Sequence, residues 1–236
     1  MGGDLFQNTD PGLLLLLSTI AGLVDVVGFL ELGHVFTAHI TGNLVLLLAG
    51  AVGAGSPALA QLLSIPVFAV AAAAAYLIAR RSGASRGRRE LLTAQALLLL
   101  LVLTLALRPR PQPPSVVLVM AMMAVAAMAF QNAFIRVSLH ESWTTSVMTG
   151  NVVTSSIALI GLFRPTPWTR EESRQQLRAT APLVLGFMAG CLIGAVGASR
   201  LGWWAWSVPA GLSVVAVATG ARAPRSAGAL VKRSRT

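Results

Sequence analysis

The 17 residues from Leu91 to Leu107 and the 25 from Pro111 to Ile135 carry no charged side chain. A helix rises about 1.5 Å per residue, so some 20 apolar residues reach across the roughly 30 Å hydrocarbon core of a bilayer. Apolar runs recur along the whole chain. With 55% hydrophobic and only 11% charged residues, it cannot face water on all sides as a soluble domain does. The solvent is therefore lipid, and the expected class is an all-α polytopic membrane protein. The formal net charge of +10 gathers between and after the apolar runs, as on the cytoplasmic face of a membrane protein, so no nucleic-acid partner is expected. Cys191, the one cysteine, lies inside an apolar run, which excludes a disulfide framework and a cysteine-based metal site.

One phrase occurs twice. His39-Ile-Thr-Gly-Asn43-Leu-Val45 returns 108 positions later as Val147-Met-Thr-Gly-Asn151-Val-Val153. Each copy is preceded by threonines and a histidine: Thr37 and His39 in the first, His140, Thr144 and Thr145 in the second. A proline-rich stretch from Arg108 to Pro114 falls between them near the middle of the 236 residues. The simplest reading is an internal duplication: a first membrane repeat over 1–107, a linker over 108–114, a second repeat over 115–221 and a basic, disordered tail over 222–236.

Residues 1–10 contain two Asp and no Lys or Arg, and Asp25 interrupts the apolar run that follows. This is not a signal-peptide pattern, so that run is expected to stay as a first helix over 11–32 with proline at its start. After Gly33 the chain reaches Thr41-Gly-Asn43, which favours a break and an N-cap. The apolar stretch 44–55 is too short to span and reads as a half-helix. A span over 59–79 contains Pro66, a kink site; a basic loop over 80–89 and a span over 91–107 follow. The second half repeats the plan, with a span over 115–136, a polar break over 138–150 and a short apolar run over 151–163. Gln131 and Asn132 lie near the end of its first span, Asn132 in the place of Asp25. Thr169-Arg-Glu-Glu172 reads as a capping box opening a charged turn that leads into a span over 181–198. Gly186, Gly190 and Gly194 give that span a close-packing face. A last span covers 201–219. The five tryptophans sit at segment ends, where an aromatic belt is expected.

Charge decides between two topologies. Eight crossings in parallel repeats with an inside N-terminus put 11 Lys and Arg inside and 7 outside. Six crossings, with the two Thr-Gly-Asn segments dipping in and returning, put 15 inside and 3 outside. The positive-inside rule favours the second. Three crossings per half make the repeats inverted, with both termini cytoplasmic and the tail on anionic lipid headgroups. The two half-helix caps would meet near the midplane, where free N–H groups and partial positive charge suit an anion or polar solute.

Gly22-Leu-Val-Asp25-Val-Val-Gly28-Phe-Leu, Val35-Phe-Thr-Ala-His39-Ile-Thr-Gly-Asn43, Phe130-Gln-Asn132-Ala and Met148-Thr-Gly-Asn151 resemble the YoaK family of bacterial inner-membrane proteins. The resemblance covers nearly all of the chain except the tail. It implies an inner-membrane protein of about six spans, and it supplies neither a substrate nor catalytic residues.

The candidate solute path takes in Asp25, Thr37, His39, Thr41, Gly42 and Asn43 from the first half, and Gln131, Asn132, Thr145, Thr149, Gly150 and Asn151 from the second. A carboxylate in an apolar helix faces protein or water and needs a partner, so Asp25 is expected either on the path or paired with Arg136. Glu31-Leu-Gly-His34 has the spacing of some carboxylate-bridged metal sites, and His39, His140 and Glu141 are possible companions. Residues near helix ends are more often interfacial, and no metal or cofactor is expected. The favoured function is a transporter or channel for a small polar or anionic solute. An intramembrane enzyme or a scaffold or assisting subunit is the alternative; no His-Glu-x-x-His or phosphate loop is present, and an enzyme is not expected. A homo-oligomer is compatible with this reading.

Overall fold

The computed structural model of the chain describes residues 11–54, 59–82, 84–109, 111–138 and 148–220. Among them every element is helical: α1 (Pro11–Glu31), α2 (Ile40–Ala49), α3 (Leu59–Ser82), α4 (Ala84–Ala106), α5 (Pro114–Ser138), α6 (Met148–Gly161), α7 (Arg170–Leu201) and α8 (Ser207–Gly220). Five apolar stretches are long enough to cross a membrane, whereas α2 and α6 are not. The fifth stretch, Arg170–Gly220, has 51 residues. As one rod it would measure about 75 Å, more than twice a hydrocarbon core. It is broken at Gly202, whose φ of 52° ends α7, and by a 3₁₀ turn over Gly202–Trp206.

Helix directions follow from the contacts. Gly186 faces Leu15 and Ser18 of α1, Gly190 faces Thr19 and Leu23, and Gly194 faces Leu23 and Val26. The numbers rise together, so α1 and α7 run side by side in the same direction. A Cβ at Gly190 would strike the Thr19 carbonyl, and one at Gly22 would strike the Phe187 carbonyl; the two backbones touch because these residues have no side chain. α3 starts beside the end of α1, since Gln61 Nε2 donates to the His34 carbonyl at 3.2 Å. α4 returns along α3, with Gly87 against the Ala79 backbone and the Ser82 hydroxyl donating to Glu90. α5 packs along α4, and Gln95 Nε2 donates to Gln131 Oε1 at 2.8 Å. The last residue of α8, Gly220, lies against Leu92 of α4 and Leu13 of α1, so α8 runs in the direction opposite to α7.

One end of the bundle therefore holds the start of α1, the α3–α4 turn, the end of α5, the start of α7 and the end of α8. It carries the five arginines between 80 and 89, Arg136, and the four between 164 and 178. The opposite end has Arg108 and Arg200 among the described residues.

α1 lies at the centre: Leu17, Ile20, Ala21, Val24 and Val27 are fully buried together with Met120, Ala124 and Met128 of α5 and Leu99 of α4. Large apolar side chains such as Val45, Val70, Ile160 and Leu192 stay exposed; on a lipid-facing surface this is the favourable arrangement. Three expectations need correction. Residues 80–82 and 84–89 are not a loop: the first end α3 and the second open α4, because arginine is a good helix former. The last span starts with the 3₁₀ turn. Trp206 does not join an aromatic belt; it is fully buried, because a repeat of three puts Trp203 and Trp206 on one face, while Trp204 is 61% exposed. The basic tail and Trp143 lie outside the described residues.

Candidate functional site

α1 ends at Glu31, and the chain then reverses through two left-handed residues, Gly33 (φ 79°) and His34 (φ 60°). A positive φ at a histidine is uncommon; here its ring packs edge-on against Phe29 at 5.0 Å. Residues 35–39 then run back along α1. Val35 and Thr37 lie against Gly28, and His39 reaches Phe187 of α7 with ring centroids 4.9 Å apart. From there α2 leads out again beside α3. The segment enters the bundle as irregular backbone and leaves it as a short helix.

Asp25 holds the tip of this segment. Its Oδ1 accepts from the Thr37 amide at 2.7 Å, the Thr37 hydroxyl at 3.0 Å and the Ala38 amide at 2.6 Å. Its Oδ2 lies 2.5 Å from His39 Nδ1. With Asp25 as a carboxylate, which only accepts, that nitrogen is the donor. Asp25, Thr37 and Ala38 are buried, while 26% of the His39 side chain is exposed. Two main-chain amides, a hydroxyl and an imidazole thus offset the cost of a carboxylate within an apolar helix. The expected pairing with Arg136 is not formed. Arg136 is exposed at the other end of the bundle, and the re-entrant segment supplies donors much closer at hand.

Asn43 is not an N-cap. His39 precedes α2 without a side-chain cap bond, and Asn43, one turn in, clamps the incoming segment. Its Oδ1 accepts from the Phe36 amide at 2.8 Å, and its Nδ2 donates to the Phe36 carbonyl at 2.7 Å and to Ser64 Oγ at 2.9 Å. Only a carboxamide offers one acceptor and two donors in this arrangement. Gly42 leaves space for the Phe36 ring, which a Cβ would strike at 2.8 Å, whereas Thr41 is exposed. Ser64 donates in turn to the Gln61 carbonyl at 2.7 Å, so α3 closes the cluster.

Among the described residues, those of the second half do not join this site. Gln131 accepts from Gln95 and donates to the Leu17 carbonyl at 3.0 Å, about 12 Å along α1 from Asp25. Asn132 donates to the Met128 carbonyl at 3.0 Å. Asn151 is buried in the first turn of α6, Thr149 is exposed and Gly150 half-buried. α2 and α6 do not touch, so Asn43 and Asn151 are not paired. Thr145, with His140 and Glu141, lies outside the described residues. No three potential metal ligands gather among the described residues.

Ser64, Gln61, Phe36 and Phe187 were not legible as site residues. One signal was present: Ser64-Ile-Pro66 in α3 has a counterpart in Thr180-Ala-Pro182 of α7. Thr180 accepts from Ser155 of α6 at 2.7 Å, much as Ser64 accepts from Asn43 of α2. A separate open cavity of about 400 Å³, lined by Phe163, Arg164, Trp168 and Arg170 among others, lies at the α6–α7 turn, away from Asp25.

No solved structure matches the chain. A stretch of 47 residues is 62% identical to the UPF0700 transmembrane protein YoaK of Bacillus subtilis (strain 168), and the match covers 20% of each protein. The family described as "Protein of unknown function (DUF1275)" matches residues 13–219. With nearly the whole helical bundle inside that match, the chain is a transmembrane protein of the DUF1275 family, to which its YoaK-like motifs already pointed.

Proposed function

We propose that this protein is a transporter or channel for a small polar solute, with its site at the tip of the re-entrant segment beside His39. The observation that carries the reading is the buried Asp25 carboxylate, bonded by donors from irregular backbone that folds back along a membrane-length helix. Such backbone is tolerated at depth only where protein buries it or where it lines a wet cavity, and here the imidazole is part-exposed. Of the two solute classes expected from the sequence, a neutral polar one fits better than an anion. Asp25 already supplies the negative charge that the positive end of α2 attracts.

Helix packing supports the inverted duplication. Exchanging the two halves maps α1 on α7 onto α5 on α3, α2 on α3 onto α6 on α7, and α4 on α5 onto α8 on α1. α4 and α8, which this exchange interchanges, run in opposite directions, as inversion requires. α6 runs against α7, Ser155 meeting Thr180 and Gly161 meeting Ser173. Continued to Met148, that register reaches about the level of Phe187, where His39 also ends. The basic end would face the cytoplasm of a bacterial inner membrane, with both chain termini on that side and the tail on anionic headgroups.

Uptake of a panel of labelled polyols, amides, amino acids and organic anions into proteoliposomes tests the reading. The parent should carry at least one of them, and Asp25→Asn should carry it at the level of empty vesicles. If the parent moves no solute faster than empty vesicles, the transporter reading is wrong.

A further inference from the structure

We infer that the Asp25–His39 pair is a proton-binding site, with Nε2 of His39 taking up and releasing one proton per transport cycle. The inference rests on the transporter reading for its place in a cycle, and on the geometry for its chemistry. A carboxylate offers about four lone-pair positions. Oδ1 of Asp25 takes two amides and a hydroxyl, and Oδ2 takes the imidazole N–H, which leaves one position open on Oδ2. A calcium or magnesium ion gathers about six or more oxygen ligands, and one open position on this carboxylate does not supply such a set. The cation that the pair can still accept is one that binds nitrogen.

His39 Nδ1 is committed to Asp25, so the free lone pair of the neutral ring is on Nε2. The ring is also the exposed member of the pair: 26% of its side chain is accessible against 4% for Asp25. Protonation forms an N–H bond at Nε2 with a proton taken from water and turns imidazole into imidazolium. Nδ1–H stays on Asp25, and loss of the Nε2 proton to water restores the starting state. The pair moves from one net negative charge to none and back, with its anchoring bonds kept throughout. A neutral pair is the form that can be enclosed by apolar helices at low cost.

No other charged group competes for this role in the surroundings described. α7 presents Phe187 to the ring and carries Cys191 one turn further on. α2 has no titratable residue, and α3 offers the neutral Gln61 and Ser64. His34 is turned to Phe29, and Glu31, the last residue of α1, is about 9 Å along that helix from Asp25.

The decisive variant is His39→Asn, whose amide nitrogen can replace Nδ1–H on Asp25 while removing the proton acceptor. In proteoliposomes held at zero membrane potential, coupling of one proton to one solute lets a gradient of one pH unit accumulate the solute about tenfold. The parent should show that accumulation, whereas His39→Asn should only equilibrate the solute. Equilibration without accumulation by the parent overturns the inference while leaving transport intact. A second readout is independent of any solute: nitrogen NMR of ¹⁵N-histidine-labelled parent in lipid nanodiscs, with His39 assigned by its loss in His39→Asn. Between alkaline and acidic buffer, Nε2 should gain a proton reversibly while Nδ1 keeps its own. An Nε2 whose protonation never changes, or an Nδ1 that gives up its proton first, overturns the site even if no solute is ever found.

Discussion

Asn43 shows how one amide can do work that a capping residue cannot. Its two donors and one acceptor close a small ring with the peptide groups of Phe36 and reach Ser64. Aspartate would cap a helix as well as asparagine, but it has no donor for the Phe36 carbonyl. Asn43→Asp should therefore destabilise the protein by about 1–3 kcal/mol, read as a lower unfolding midpoint in detergent; a midpoint equal to the parent's would return Asn43 to a plain cap. Asp25 makes a related point about partners. Arg136 is exposed and away from it, so Arg136→Gln should change stability by less than about 0.5 kcal/mol. Its effect should add to that of Asp25→Asn, as for distant sites. A coupling between the two beyond measurement error would contradict the geometry described above.

Among the elements, the parallel pair α1–α7 is the one whose packing leaves least tolerance. Gly190→Leu would drive a side chain into the α1 backbone at Thr19 and should cost about 3 kcal/mol or prevent folding. Gly211 in α8 has nothing within 4 Å of a built Cβ, so Gly211→Ala should be neutral or stabilise by up to about 1 kcal/mol. Comparing the unfolding midpoints of these two variants separates backbone contact from the general cost of altering a helical glycine. At the start of α7 the capping box is present as its sequence suggested: Thr169 Oγ1 accepts from the Glu172 amide, and Glu172 accepts from the Thr169 amide at 2.7 Å and from its hydroxyl at 2.9 Å. Thr169→Ala should cost about 1 kcal/mol. The bonds from the Thr169 amide, and next from its hydroxyl, hold the Glu172 carboxyl below its usual range. The contribution of that carboxylate is therefore present at neutral pH and fades as the pH falls through the lowered value.

For the whole molecule, the helix directions place Ser82 and Arg174 at one end and Gln112 at the other. Single cysteines at 82, 174 and 112 in a Cys191→Ser background, probed in intact cells with a membrane-impermeant maleimide, should label in two classes. Positions 82 and 174 should behave alike, protected until the membrane is opened, and 112 should react at once. Agreement of 82 with 112 instead would mean that α4 does not cross.

The apolar runs by themselves determined that this is a helical membrane protein and roughly where its spans lie, because lipid leaves a backbone few other choices and length sets what can cross. The repeated Thr-Gly-Asn phrase, the short runs that follow it and the capping box at Thr169 were legible for the same reason: each depends on neighbours in the chain. Partnership was not legible. Asp25 gave no sign, from its place in α1, that its donors would come from Thr37, Ala38 and His39 rather than from Arg136. Which residue reaches it depends on the left-handed reversal at Gly33 and His34 and on how closely α7 approaches. The role of Asn43 likewise turned on where Phe36 and Ser64 arrive in space. A cap is decided within one turn of helix, whereas a clamp between an irregular segment and another helix is decided only when the bundle closes.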